Sequence, residues 1–144
     1  METFSRVLVD SNFIIALFNP DDGLFKAADL ALTKLLLSRS VLVVTNFVFS
    51  EVVTVLSQRR GRIVASEAGE HILEDSSFEF LYLDEYLHHE TWDIFRQINR
   101  KNVGFVDCSM LAVMRLENCD AFLTFDHALA KLAEKQRFKL WPTT

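Results

Sequence analysis

Only 4 Gly, 2 Pro and 2 Cys occur among the 144 residues, and no apolar run approaches the roughly 20 residues of a membrane-spanning helix. So little Gly and Pro excludes a low-complexity or disordered chain. Half of the residues are hydrophobic, which predicts an ordered fold burying roughly two-thirds of the surface its unfolded chain exposes. Cys108 and Cys119 read as members of one helix, where a rise of 1.5 Å per residue sets them ~16 Å apart, beyond disulfide reach. Neither has a neighbouring cysteine at zinc-ligand spacing, so two buried thiols are expected. Met1-Glu2-Thr3-Phe4-Ser5-Arg6 lacks the basic region and apolar core of a signal peptide, so a cytoplasmic location with no membrane contact is expected, and residues 1–144 read as one domain. An excess of positive charge is also missing. The formal net charge of −5 argues against a general cationic nucleic-acid binder, but it leaves room for a local basic edge or a metal-mediated phosphate contact. Phe is what the chain has in plenty: 13, with two Trp, enough to leave some aromatic surface exposed for a partner.

The pattern along the chain alternates strand and helix. Val7-Leu8-Val9 ends abruptly in Asp10-Ser11-Asn12, as a strand covered on both faces does when it reaches a sheet edge. Asp10 at that position is either a helix cap or a functional acid. A short buried helix over 12–18 is stopped by Asn19-Pro20-Asp21-Asp22-Gly23, an amphipathic helix follows over 24–38, and Val41-Leu42-Val43-Val44 is a second strand. The valine-rich segment from Phe47 to Gln58 has strand propensity. Its Ser50, Glu51, Thr54 and Gln58 nevertheless make one polar helical stripe behind a Thr45 or Asn46 cap, so a helix is expected. Arg59-Arg60-Gly61-Arg62 closes it, offering a grip on a phosphate backbone or merely a basic helix end. A helix over 63–75, a strand over 78–83 and a helix from Glu85 to about Asn99 capped by Asp84 come next. Glu85, His88 and His89 are explained by a polar helix face beside Trp92 without a metal, and Arg96, Arg100 and Lys101 form a second small basic cluster. A helix with Asp107 at its cap runs to about Asn118, Ala121 to Phe125 is a strand ending in Asp126-His127, a helix covers 128–135, and Phe138-Lys139-Leu140-Trp141 is a short last strand stopped by Pro142.

Five strands alternating with helices imply a mostly parallel sheet covered on both faces, whose carboxyl ends share one edge. Asp10 and Asp126 leave strands at that edge, and Glu51 and Asp107 sit near helix starts that face it. Two unit charges ~5 Å apart repel by roughly 3 kcal/mol at an effective dielectric near 20. Four converging carboxylates therefore require protonation or a hard cation, and Mg²⁺ or Mn²⁺ suits oxygen ligands better than zinc does. Such an ion activates water and stabilises charge on a phosphodiester without a basic protein.

Val9-Asp10-Ser11-Asn12, Thr45-Asn46 through Glu51, Phe105-Val106-Asp107-Cys108-Ser109 and Leu123-Thr124-Phe125-Asp126 resemble the PIN-domain nucleases. The length and the Asp, Glu, Asp, Asp order are most similar to the VapC-like toxins of type II toxin–antitoxin systems. The resemblance spans almost the whole chain. It implies a three-layer α/β fold with a central, mostly parallel five-stranded sheet flanked by helices. It also implies a homodimer, an inhibitory antitoxin, and Mg²⁺- or Mn²⁺-dependent endoribonuclease cleavage of single-stranded or loop RNA. Carried over by position, Asp10, Glu51, Asp107 and Asp126 are the acidic metal-site residues, Asn12 and Thr124 polar support, and His127 a loop side chain; Arg59, Arg60 and Arg62 are the candidate RNA contacts. A haloacid dehalogenase phosphatase would need an Asp where Asn12 stands, and a receiver domain would need an acidic pair before Asp10, where Leu8-Val9 occur. A stand-alone PIN nuclease of RNA processing and a PIN-like domain that binds RNA or protein without cutting are the alternatives.

Overall fold

The computed structural model describes residues 4–142. β1 (Arg6–Val9) is followed at once by α1 (Ser11–Leu17), then α2 (Phe25–Leu37), β2 (Val41–Thr45), α3 (Asn46–Arg60), α4 (Arg62–Glu74) and β3 (Phe78–Leu81). The remainder is α5 (Glu85–Gln97), α6 (Phe105–Leu116), β4 (Ala121–Leu123) and α7 (His127–Lys135). The strands form one parallel sheet in the order β3-β2-β1-β4. β1, β2 and β4 carry almost wholly buried side chains, because helices flank the sheet and leave these strands no solvent face. The chain builds outward from β1 to β2 and β3, then returns to place β4 on the other flank of β1. Where strand order reverses in this way, the carboxyl ends of β1 and β4 open a crevice.

The valine-rich segment is helical, as the polar stripe predicts. Thr45 Oγ1 accepts from the Val48 N–H at 3.1 Å and caps α3, Val48, Val52 and Leu56 are buried, and Ser50, Thr54 and Gln58 face solvent. Tertiary burial of one face thus overrides valine's strand preference. Gly61, at φ 92°, breaks the α3–α4 junction in a conformation that L side chains rarely adopt. α4 then folds back on α3 closely enough that a Cβ on Gly69 would lie 3.3 Å from the Phe49 ring.

Four expectations need correction. The fifth strand is a single bridge: Leu140 pairs with Phe122, through Phe122 N–H to Lys139 O and Trp141 N–H to Phe122 O, both at 2.9 Å. β4 is only three residues long, Phe138 N–H is used to close α7 on Ala133 O at 3.0 Å, and Pro142 has no N–H to extend a ladder. Cys119 lies beyond the end of α6 and is half-buried, whereas Cys108 is buried within it; burial pushes both thiols up to about 11. Phe105 and Val106 belong to α6, so Asp107 is its third residue and Gly104 the cap. His127 is the exposed first residue of α7 and not a loop residue. No helix among the described residues is long and apolar enough to cross a membrane.

Candidate active site

Asp10 stands directly after β1, and its N–H donates to Leu123 O at 2.9 Å, continuing the β1–β4 pairing by one residue. It is only 5% exposed. Its Oδ1 accepts from the Ser11 N–H at 2.8 Å, and its Oδ2 accepts from the Thr124 hydroxyl at 2.7 Å. Thr124 Oγ1 in turn accepts from the Asp126 N–H at 3.0 Å, which leaves the threonine proton directed at Asp10. The Ser11 hydroxyl donates to Glu51 Oε1 and stands 3.5 Å from Asp10 Oδ1. One serine therefore joins the acid after β1 to the acid on α3. Asn12 Oδ1 accepts from the Phe125 N–H at 3.2 Å and pins the loop that follows β4.

Asp107 and Asp126 complete the set. Asp107 reaches back from α6, and its Oδ2 accepts from the Gly104 N–H at 2.9 Å. Asp126 caps α7 through Oδ1, which accepts from Ala128 and Leu129 N–H at 2.9 and 3.1 Å. Capping and a second duty are compatible here, because a carboxylate has about four acceptor positions and the caps use few of them. Asp10, Glu51, Asp107 and Asp126 all line one cleft of about 300 Å³.

The electrostatics of the cleft are those of crowded, partly buried carboxylates. Burial is the chief cause that raises the Asp10 carboxyl to about 6, with Thr124 and Ser11 opposing it and Asp107 and Glu51 adding repulsion. Burial likewise raises Asp107, opposed by the Gly104 N–H and reinforced by Asp126 and Glu51. No three His, Cys, Asp or Glu side chains among the described residues close on a common point as a preformed cage. All-oxygen donors lining a roomy cleft suit a hard divalent ion that keeps part of its water shell, as Mg²⁺ does.

The three candidate arginines are separated. Exposed Arg59 lines the acidic cleft. Arg60 pairs with Asp21 at 3.0 Å, and Arg62 lines a different hollow, between α3 and α4. His88 packs on Phe105 with centroids 5.3 Å apart and His89 lies 3.8 Å from Glu85, so this group stays clear of the cleft. Arg96 pairs with Asp93 at 2.8 Å and covers the Trp92 ring. Sequence reasoning missed Ser11 and Asp22, which also line the cleft. Ser11 carried a signal in its place between the first acid and Asn12, but Asp22 read only as turn chemistry.

Among solved structures, the chain is similar to the Mycobacterium tuberculosis toxin VapC20, a sarcin-ricin loop cleaving toxin, with 24% identity and a TM-score of 0.76 over 88% of this chain and 94% of that one. It is also similar to VapBC2 from Rickettsia felis bound to a DNA fragment from their promoter, with 13% identity and a TM-score of 0.65 over 95% of this chain and 99% of that one. At these identities the likeness is one of fold. No curated protein matches the chain. The PIN domain model matches residues 7–135, taking in β1 through α7 and all four acids, and the chain belongs to the PIN domain family.

Proposed function

We propose that the chain is a divalent-metal-dependent endoribonuclease that hydrolyses phosphodiester bonds in single-stranded or loop RNA, as the toxin of a toxin–antitoxin pair. The observation that carries this is the convergence of Asp10, Glu51, Asp107 and Asp126 on one cleft with Arg59 at its rim. Asp10 and Asp107 would hold Mg²⁺ or Mn²⁺, with Glu51 and Asp126 joining directly or through water. When bound, the ion supplies charge neutralisation at the phosphate and an acidified water. Thr124 and Ser11 orient Asp10 and Glu51, and Glu51 or Asp126 accepts a hydrogen bond from the attacking water. The guanidinium of Arg59 meets the RNA backbone. The similarity to VapBC2, which is bound to a DNA fragment from their promoter, supports a small antitoxin as partner here; a homodimer and a cytoplasmic location belong to the same reading.

The test is cleavage of RNA by the purified chain with Mg²⁺ or Mn²⁺, with chelator, and with Asp10→Asn. Metal-dependent cleavage lost in the variant is expected. Cleavage that persists in chelator, or equal activity of Asp10→Asn, overturns the metal mechanism, and a chain that binds RNA without cutting it overturns the enzyme.

A further inference from the structure

The acidic cleft has a neighbour on the far side of Asp126. A hollow of about 400 Å³ lies between β4, α7 and the final bridge, and it shares both Leu24 and Asp126 with the cleft. The geometry points to this hollow as a seat for one nucleobase of the strand whose phosphate lies in the acidic cleft, an assignment that rests on the nuclease reading. Its volume falls within the roughly 300–1,000 Å³ of small-ligand pockets, and such pockets are apolar with a few placed polar groups. Phe125, Leu140 and Trp141 supply the apolar and aromatic wall, and His127 and Glu134 the polar rim.

Backbone hydrogen bonds hold both aromatic walls in place. Trp141 is anchored through its backbone N–H to Phe122 O, and Phe125 by its N–H to Asn12 Oδ1 and by its ring against Phe13, with centroids 6.2 Å apart. Aromatic faces accept any base by stacking. A carboxylate accepts hydrogen bonds and donates none, so Glu134 on the rim favours a base that offers an amino group, such as cytosine through N4, over uracil. The exposed rings of α5 are a poorer seat. Trp92 and Phe95 stack on each other with centroids 5.9 Å apart, Arg96 covers Trp92, and neither ring lines the cleft.

The test uses the full chain carrying Asp10→Asn, ¹⁵N-labelled, with the two indole N–H resonances assigned through Trp92→Phe. It is titrated with cytidine 5′-monophosphate, uridine 5′-monophosphate and ribose 5-phosphate. Saturable movement of the Trp141 resonance is expected, greater for the cytidine nucleotide, absent for ribose 5-phosphate, and unaccompanied by Trp92. Glu134→Gln should narrow the preference. In cleavage, Trp141→Ala should lower kcat/KM roughly 5- to 150-fold and Trp141→Phe should retain most of it. Equal response to ribose 5-phosphate, movement of Trp92 instead of Trp141, or no movement overturns the base seat. A wild-type chain that cuts no RNA overturns the nuclease reading alone, since the indole titration judges the hollow independently.

Discussion

Replacing Asp10 by Asn should abolish cleavage yet stabilise the metal-free protein at neutral pH. Burial raises the Asp10 carboxyl from 3.8 to about 6, so between these values the folded chain binds more protons than the unfolded one, and stability falls as pH rises. At 1.36 kcal/mol for each tenfold change in proton affinity, the full cost of the buried charge above pH 6 is about 3 kcal/mol. Asn removes that cost. It keeps an oxygen for the Ser11 N–H but turns an amide toward Thr124, whose hydroxyl must then accept where it now donates, a loss of about 1 kcal/mol. The net gain is about 2 kcal/mol at pH 7.5, or roughly 5 °C in Tm. Below pH 4 both side chains are neutral and the variant should lose its advantage. Saturating Mg²⁺ should restore the wild type by about 2.7 kcal/mol at a hundred times Kd, without moving the variant. Chelator-treated proteins unfolded by urea across pH 4 to 8 would measure this. A variant less stable than wild type at pH 7.5, or a gap that does not narrow on acidification, refutes the claim that the native cleft holds unneutralised charge.

Ser11→Ala removes the hydroxyl between Asp10 and Glu51 and should lower kcat by roughly 10- to 100-fold, as loss of a ligand-orienting partner does, with circular dichroism unchanged. Arg59→Gln should reduce the salt dependence of RNA binding by about one counterion, measured by filter binding at several salt concentrations. Arg60→Gln, already paired with Asp21, should reduce it less. Gly61→Ala meets no atom within 4 Å, so its cost is that of the backbone alone, about 1–3 kcal/mol for an L side chain at φ 92° and ψ 170°, read by urea denaturation.

The frame was legible because each strand announces itself twice, once by an apolar run and again by the polar residues that end it. Val7 to Asp10 and Ala121 to Asp126 show this most clearly, and the Thr45 cap with its polar stripe identified α3 against valine propensity. The convergence of the acids followed from topology, since parallel strands put their carboxyl ends together. What could not be read were contacts between segments distant in sequence. The Ser11 to Glu51 bond spans forty residues, and nothing local in either segment signals it. Edge pairing is equally hidden: Phe138 to Trp141 has strand composition, but the end of α7 and Pro142 claim the groups a longer ladder would need. Asp107 read as a cap because Asp before an apolar helical run is a favoured cap, whereas it is the third residue of α6 and reaches back to the Gly104 N–H.

β1 pairs with residues on both sides, Val7 with Leu42 and with Ala121. The second pairing joins positions more than a hundred residues apart. During synthesis, therefore, β1, β2 and the helices between them emerge and can pack long before the opposite flank of β1 exists. Asp10 then has neither the Thr124 hydroxyl nor the Leu123 carbonyl that fixes it, and the cleft lacks its Asp126 wall. The four acids therefore come to share one cleft only after β4 has paired with β1 and brought the Asp126 wall with it.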